Sequence, residues 1–131
     1  MTLPAEFRTA LQRGGLLYLT TFSTAGKSGT VPVLFLLDGG VIYFSSQRNT
    51  LKVRRIQRTG GVTVRPGSPD GPGLSCRAEV LENVPDLEAR LLRTYRRRYP
   101  LRWLFLGRRL RKSFAEGSEV VIRLDPEDAS K

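Results

Sequence analysis

The chain has 131 residues, 40% of them apolar, enough for the core of one domain. It carries 22 Lys and Arg against 12 Asp and Glu. The resulting net charge of +10 implies an acidic partner: nucleic acid, an anionic membrane surface, or a phosphorylated or carboxylated small molecule. With no histidine and a single cysteine, Cys76, the composition excludes imidazole nucleophiles, His-ligated metals, thiolate zinc clusters and internal disulfides.

The first residues, "MTLPAEFRTALQRGG", have neither the apolar stretch nor the cleavage pattern of a signal peptide, and no run is apolar enough to span a bilayer. A cytoplasmic protein without a membrane span is the expectation. Within this segment Phe7, Ala10 and Leu11 recur at helical spacing, and Gly14–Gly15 ends the predicted helix. "LLYLTTFS" (16–23) reads as a first strand and "TAGKSG" as a turn. "TVPVLFLL" (30–37) reads as one strand buried on both faces, with Pro32 marking an edge or a bulge. "DGG" (38–40) predicts a hairpin into a third strand, "VIYFSS" (41–46). "NTLKVRRIQRTG" predicts a short helix capped by Asn49 or Thr50 and ended by Gly60.

Strand 61–66, a Gly/Pro loop (67–73) and strand 74–83 follow. A helix over 85–99 opens on proline and carries Leu87, Leu91, Leu92 and Tyr95 at helical spacing. Residues 100–114 form a second helical or irregular piece, 118–126 a sixth strand, and the residues after it a tail. Six short strands separated by turn signals predict a mainly β fold, a single domain built as a Greek-key antiparallel barrel with helices outside it. A β-sandwich is the architectural alternative.

Three features carry chemistry. The end of the third strand and the start of the following helix gather Ser45, Ser46, Arg48, Asn49, Thr50 and Lys52. Free amides at a helix start, with hydroxyls and two cations beside them, make an anion site. A capped helix with solvated cations uses the same residue types. The proline-bearing strand around Val31, Pro32 and Val33 leaves backbone groups able to meet a flat ligand, though most of that hairpin is core. Between Glu88 and Glu116 there is no acid but a run of arginines interleaved with Tyr99, Trp103 and Phe105. That stretch suits stacking on nucleic acid, or equally a solvated arginine face on a packed helix. It shows no sequence-reading motif, so nucleic acid is an unlikely partner. Cys76, mid-strand, reads as a small buried apolar residue.

The ordered set "GTVPVLF", "DGGVIYFSS", "NTLKVRRI" and "GLSCRAEVLE", followed by a helix, resembles the pyridoxamine 5'-phosphate oxidase-like FMN-binding split barrels, in particular the coenzyme F-420 (deazaflavin)-dependent subgroup. The resemblance covers residues 10–125. It implies a homodimer of split β-barrels with cofactors in the grooves between subunits. It implies that the phosphate of FMN or F-420 is held by Ser45, Ser46, Arg48, Asn49, Thr50 and Lys52, and that the ring lies along the backbone of Val31, Pro32 and Val33. The implied function is an oxidoreductase moving a hydride between F-420 or FMN and a small organic substrate. The alternatives are a basic module for nucleic acid and a non-catalytic cofactor-binding protein. Leu34–Phe35 and Cys76 depart from the family pattern at positions expected to narrow the pocket. The arginine excess suits the polyanionic tail of the deazaflavin. Hydride chemistry belongs to the cofactor, so the lack of histidine is no obstacle.

Overall fold

A computed structural model describes residues 3–13 and 15–127. Helix α1 (Ala5–Gln12) leads into β1 (Leu17–Phe22), β2 (Ser28–Val33), β3 (Leu36–Asp38) and β4 (Val41–Gln47). Helix α2 (Leu51–Thr59) precedes β5 (Gly61–Pro66) and β6 (Leu74–Leu81). Helices α3 (Pro85–Arg98) and α4 (Pro100–Glu116) precede β7 (Glu119–Pro126). Gly14 and the tail beyond residue 127 lie outside the described residues.

The strands form one seven-stranded antiparallel sheet in the order β2-β1-β5-β6-β7-β4-β3. Its two outermost strands are consecutive in the chain. Val33 of β2 pairs with Leu17, and Leu36 of β3 pairs with Tyr43. Three residues reach at most about 11 Å, so the sheet must curl until its edges meet. The strand expected over 30–37 is therefore one bent strand that changes partners at Leu34–Phe35, which reconciles six expected strands with seven found and excludes the sandwich. The expectation that it is buried on both faces fails: β2 is exposed from Ser28 to Pro32, with Val31 at 39%. As the edge of the sheet, β2 pairs only with β1. Pro32, opposite Tyr18, sits where a missing N–H is tolerated.

Alternation along the strands separates two apolar clusters. Leu17, Leu19, Phe35, Ile42, Phe44, Val62, Val64, Ile122 and Leu124 fill the barrel, joined by Phe7 and Leu11 of α1 and Val53 and Ile56 of α2. Outside it, Leu36, Tyr43 and Val121 pack beneath Leu91, Tyr95 and Tyr99 of the α3 segment and Leu110 and Phe114 of α4. Glu119 to Ile122 are buried on both faces of β7, between the barrel interior and the α3–α4 pair. The segment 100–114 is helical, and Pro100 opens α4 where its missing N–H is not needed. The hairpin Gly39–Gly40 has φ of 58° and 90°, the left-handed pair that a tight antiparallel connection requires.

Arg98 ties the layers together. Its guanidinium lies 4.6 Å from the Phe35 ring centroid and donates to the Leu11 carbonyl at 3.1 Å. Among the described residues no helix is long and apolar enough to cross a membrane.

Candidate functional site

The end of β4 carries the signature read from the sequence. Antiparallel pairing with β7 sets Ser45 opposite Val121 and Gln47 opposite Glu119. The side chain of Ser45 therefore faces the α3–α4 layer, while that of Ser46 is buried on the other face. Ser46 Oγ and Thr50 Oγ1 lie 3.0 Å apart, and Thr50 Oγ1 donates to the Gln47 carbonyl at 3.0 Å. Thr50 is the residue before α2, yet neither it nor Asn49 caps the helix by a side-chain hydrogen bond, contrary to expectation. The first-turn amides of α2 are left for another acceptor.

These groups open onto a cavity of about 330 Å³. One wall is the bent strand: Pro32, Val33 and Leu34. The floor is Ser45, Ser46, Gln47, Thr50 and Lys52. The far wall brings Tyr95 of α3 and Leu106, Arg109 and Leu110 of α4, with Glu119 of β7 at its base. Of the residues singled out in the sequence, the cavity gathers Pro32, Val33, Ser45, Ser46, Thr50 and Lys52.

The cavity lining does not include Val31, Asn49 or Arg48. Arg48 turns away because β4 continues to follow β7: its N–H donates to the Ser118 carbonyl, its guanidinium donates to the Gly117 carbonyl at 3.1 Å, and it pairs with Glu82. In this position it ties the end of α4 to the end of β6. Phe35 and Cys76 lie in the barrel core, so of the departures noted only Leu34 borders the cavity. Burial pushes the Cys76 thiol up to about 12, leaving it unreactive at neutral pH.

Tyr95 sets the geometry. Its hydroxyl accepts from the Ser45 N–H at 3.2 Å and donates to the Leu34 carbonyl at 3.1 Å, joining β4 to the bend between β2 and β3. Burial pushes its phenol well above the ordinary range, so it remains a donor at neutral pH. Burial also lowers the Lys52 pKa, an effect opposed by Glu119. The Glu119 carboxyl is raised, first by burial, against the opposing pull of Ser45, Lys52 and Arg109. The cavity thus holds two cations and one reluctant carboxylate.

A carboxyl with a raised pKa binds its proton more tightly when folded. Its cost is absent below the ordinary carboxylate pKa and grows until pH passes the raised one. Glu119→Gln, always neutral, is expected to melt a few degrees above wild type at pH 7 and together with it below about pH 4, as checked by thermal melts across that range.

No protein-family model matches the chain, and no curated protein is similar to it. Solved structures are. An F420 reductase superposes with a TM-score of 0.60 at 21% identity, covering 96% of this chain and 97% of that one. A pyridoxamine 5'-phosphate oxidase-related, FMN-binding protein from Nostoc punctiforme gives 0.61 at 15% identity, covering 95% and 81%. The heme storage protein HutZ from Vibrio cholerae gives 0.68 at 14% identity, covering 98% and 93%. The fold is the pyridoxamine 5'-phosphate oxidase-like split barrel.

Within this split barrel, sequence reasoning missed Tyr95, Arg109 and Glu119 as cavity residues. Each comes from an element far from β4 in the chain. A polar terminus on the apolar run "EVVI" was the one signal that pointed to Glu119.

Proposed function

We propose that this split barrel is a flavin- or deazaflavin-dependent oxidoreductase acting on a small organic molecule, with FMN or F-420 as its cofactor. One observation carries the reading. An anion-holding end (Lys52, Ser46, Thr50 and the uncapped first turn of α2) and the unpaired edge of a strand (Pro32–Val33) share a cavity. A phosphorylated, flat, part-apolar ligand needs both. Lys52 and the α2 amides would hold its phosphate, and the free backbone of β2 would meet its ring edge. When bound, the cofactor supplies the hydride. Glu119 is the cavity's one carboxylate and the candidate for holding or moving a proton there.

The cavity of one chain lies at the low end for a ligand of this size. The exposed face of β2 lies beside it. A homodimer that covers β2 would complete the groove, as the resemblance implies. The test is a titration of the purified protein with FMN and with F-420, followed by cofactor fluorescence, then single-turnover reoxidation of the reduced cofactor with candidate acceptors. Saturable binding of one cofactor at micromolar concentration is expected. Failure of both to bind overturns the proposal, and binding without turnover leaves a cofactor carrier.

A further inference from the structure

Leu101, Leu104 and Phe105 are 75%, 76% and 84% exposed, the most exposed large apolar side chains among the described residues. They stand at i, i+3 and i+4 on α4, so they form one patch. The helix is not free to roll them inward. Its other face is committed to the α3–β7 layer through Trp103, Leu110 and Phe114. Trp103 folds back over Gly107 so closely that a Cβ there would meet the indole at 2.6 Å. The patch is surrounded by exposed Arg102, Arg108, Arg109, Arg111 and Lys112. Among the described residues only Lys112 of these forms an ion pair within 4.0 Å, with Glu116 at 3.9 Å, while Arg109 also faces Glu119 across the cavity.

We infer that α4 docks the protein on an anionic bilayer surface, with Leu101, Leu104 and Phe105 in the interfacial region and the flanking arginines against lipid phosphates. A bilayer offers both chemistries in the right order of depth, phosphate outermost and acyl chain beneath, and arginine stems can lie between. A second copy of the chain would bring the same cations against these. Three side chains also fall well short of the roughly 1,200 Å² that a specific protein interface buries. Nucleic acid matches the arginines but gives two leucines no apolar phase to enter.

The test is co-sedimentation of the full chain with vesicles of phosphatidylcholine alone and of phosphatidylcholine mixed with phosphatidylglycerol, with the fluorescence of Trp103, the only tryptophan, as a second readout. Binding to the anionic vesicles alone, with a blue shift and weakening with salt, is expected. Leu104→Ser/Phe105→Ser should lower the partition coefficient at least tenfold without moving the melting temperature, and Arg102→Gln/Arg108→Gln should do so without touching the apolar patch. The inference is overturned if neither vesicle binds the wild type, if both vesicles bind it equally, or if the serine variant binds like wild type. It is also overturned if that variant's sole effect is to halve a dimer mass or to release duplex DNA.

Discussion

Tyr95→Phe is expected to lower the melting temperature by about 10 °C. The ring that packs against Leu91 and Val121 is kept, so the loss comes from one oxygen. That oxygen, itself buried, satisfies the Ser45 N–H and the Leu34 carbonyl, which are half-buried beneath α3 at the edge of the cavity. A buried backbone group left unpaired costs about 1–3 kcal/mol, and two are orphaned here. A loss of about 2–3 kcal/mol in a chain of this length corresponds to that temperature shift. Tyr99→Phe is the control. Its hydroxyl donates to the carbonyl of Gly15, an exposed residue, at 2.7 Å, and water can take its place. Differential scanning calorimetry of the two variants decides the matter. Equal small losses would show that Tyr95 fills space but does not hold the bend.

Lys52→Ala is expected to weaken FMN or F-420 binding by one to two orders of magnitude. A charge-assisted hydrogen bond to phosphate is worth about 1.5–3 kcal/mol, and each 1.4 kcal/mol is a factor of ten. Folding should change little. Lys52 sits on the first turn of α2, where a cation opposes the helix dipole, and burial already disfavours its charged form. Arg48→Ala should do the opposite, because its guanidinium holds the Gly117 carbonyl and Glu82: a loss of about 1 kcal/mol in stability with affinity retained. Calorimetric titration beside thermal melts separates the two. Unchanged affinity in a folded Lys52→Ala protein would place the phosphate elsewhere.

Local patterns made much of this molecule readable. The hairpin at Gly39–Gly40, the helix stop at Gly60 and the Pro85 start are written in single residues whose backbone preferences leave few options. Ser45, Ser46, Thr50 and Lys52 share a cavity because a strand end and the next helix start are neighbours in the chain. The bend at Leu34–Phe35 was not readable. Both residues are apolar, and a strand that passes from one sheet edge to the other keeps its composition while changing its partners. The direction of Arg48 was equally hidden, since it depends on the Gln47–Glu119 register with a strand more than seventy residues later. The same holds for Tyr95: its amphipathic spacing announces burial but says nothing of which carbonyl its hydroxyl finds.

The place of β7 has a consequence for how the chain reaches its native state. Residues 119–126 are hydrogen-bonded on one side to β4 and on the other to β6. Until they emerge from the ribosome, the molecule is two separate pieces of sheet, β2-β1-β5-β6 and β4-β3, each with a bare edge where the last strand belongs. Ile42 must wait for Leu124. Closure therefore depends on contacts of long sequence separation, which form slowly and only once β7 has been made. Chains halted before residue 119 expose two templates for pairing with one another, so ribosome stalling ahead of β7 would yield aggregates, not a smaller folded protein.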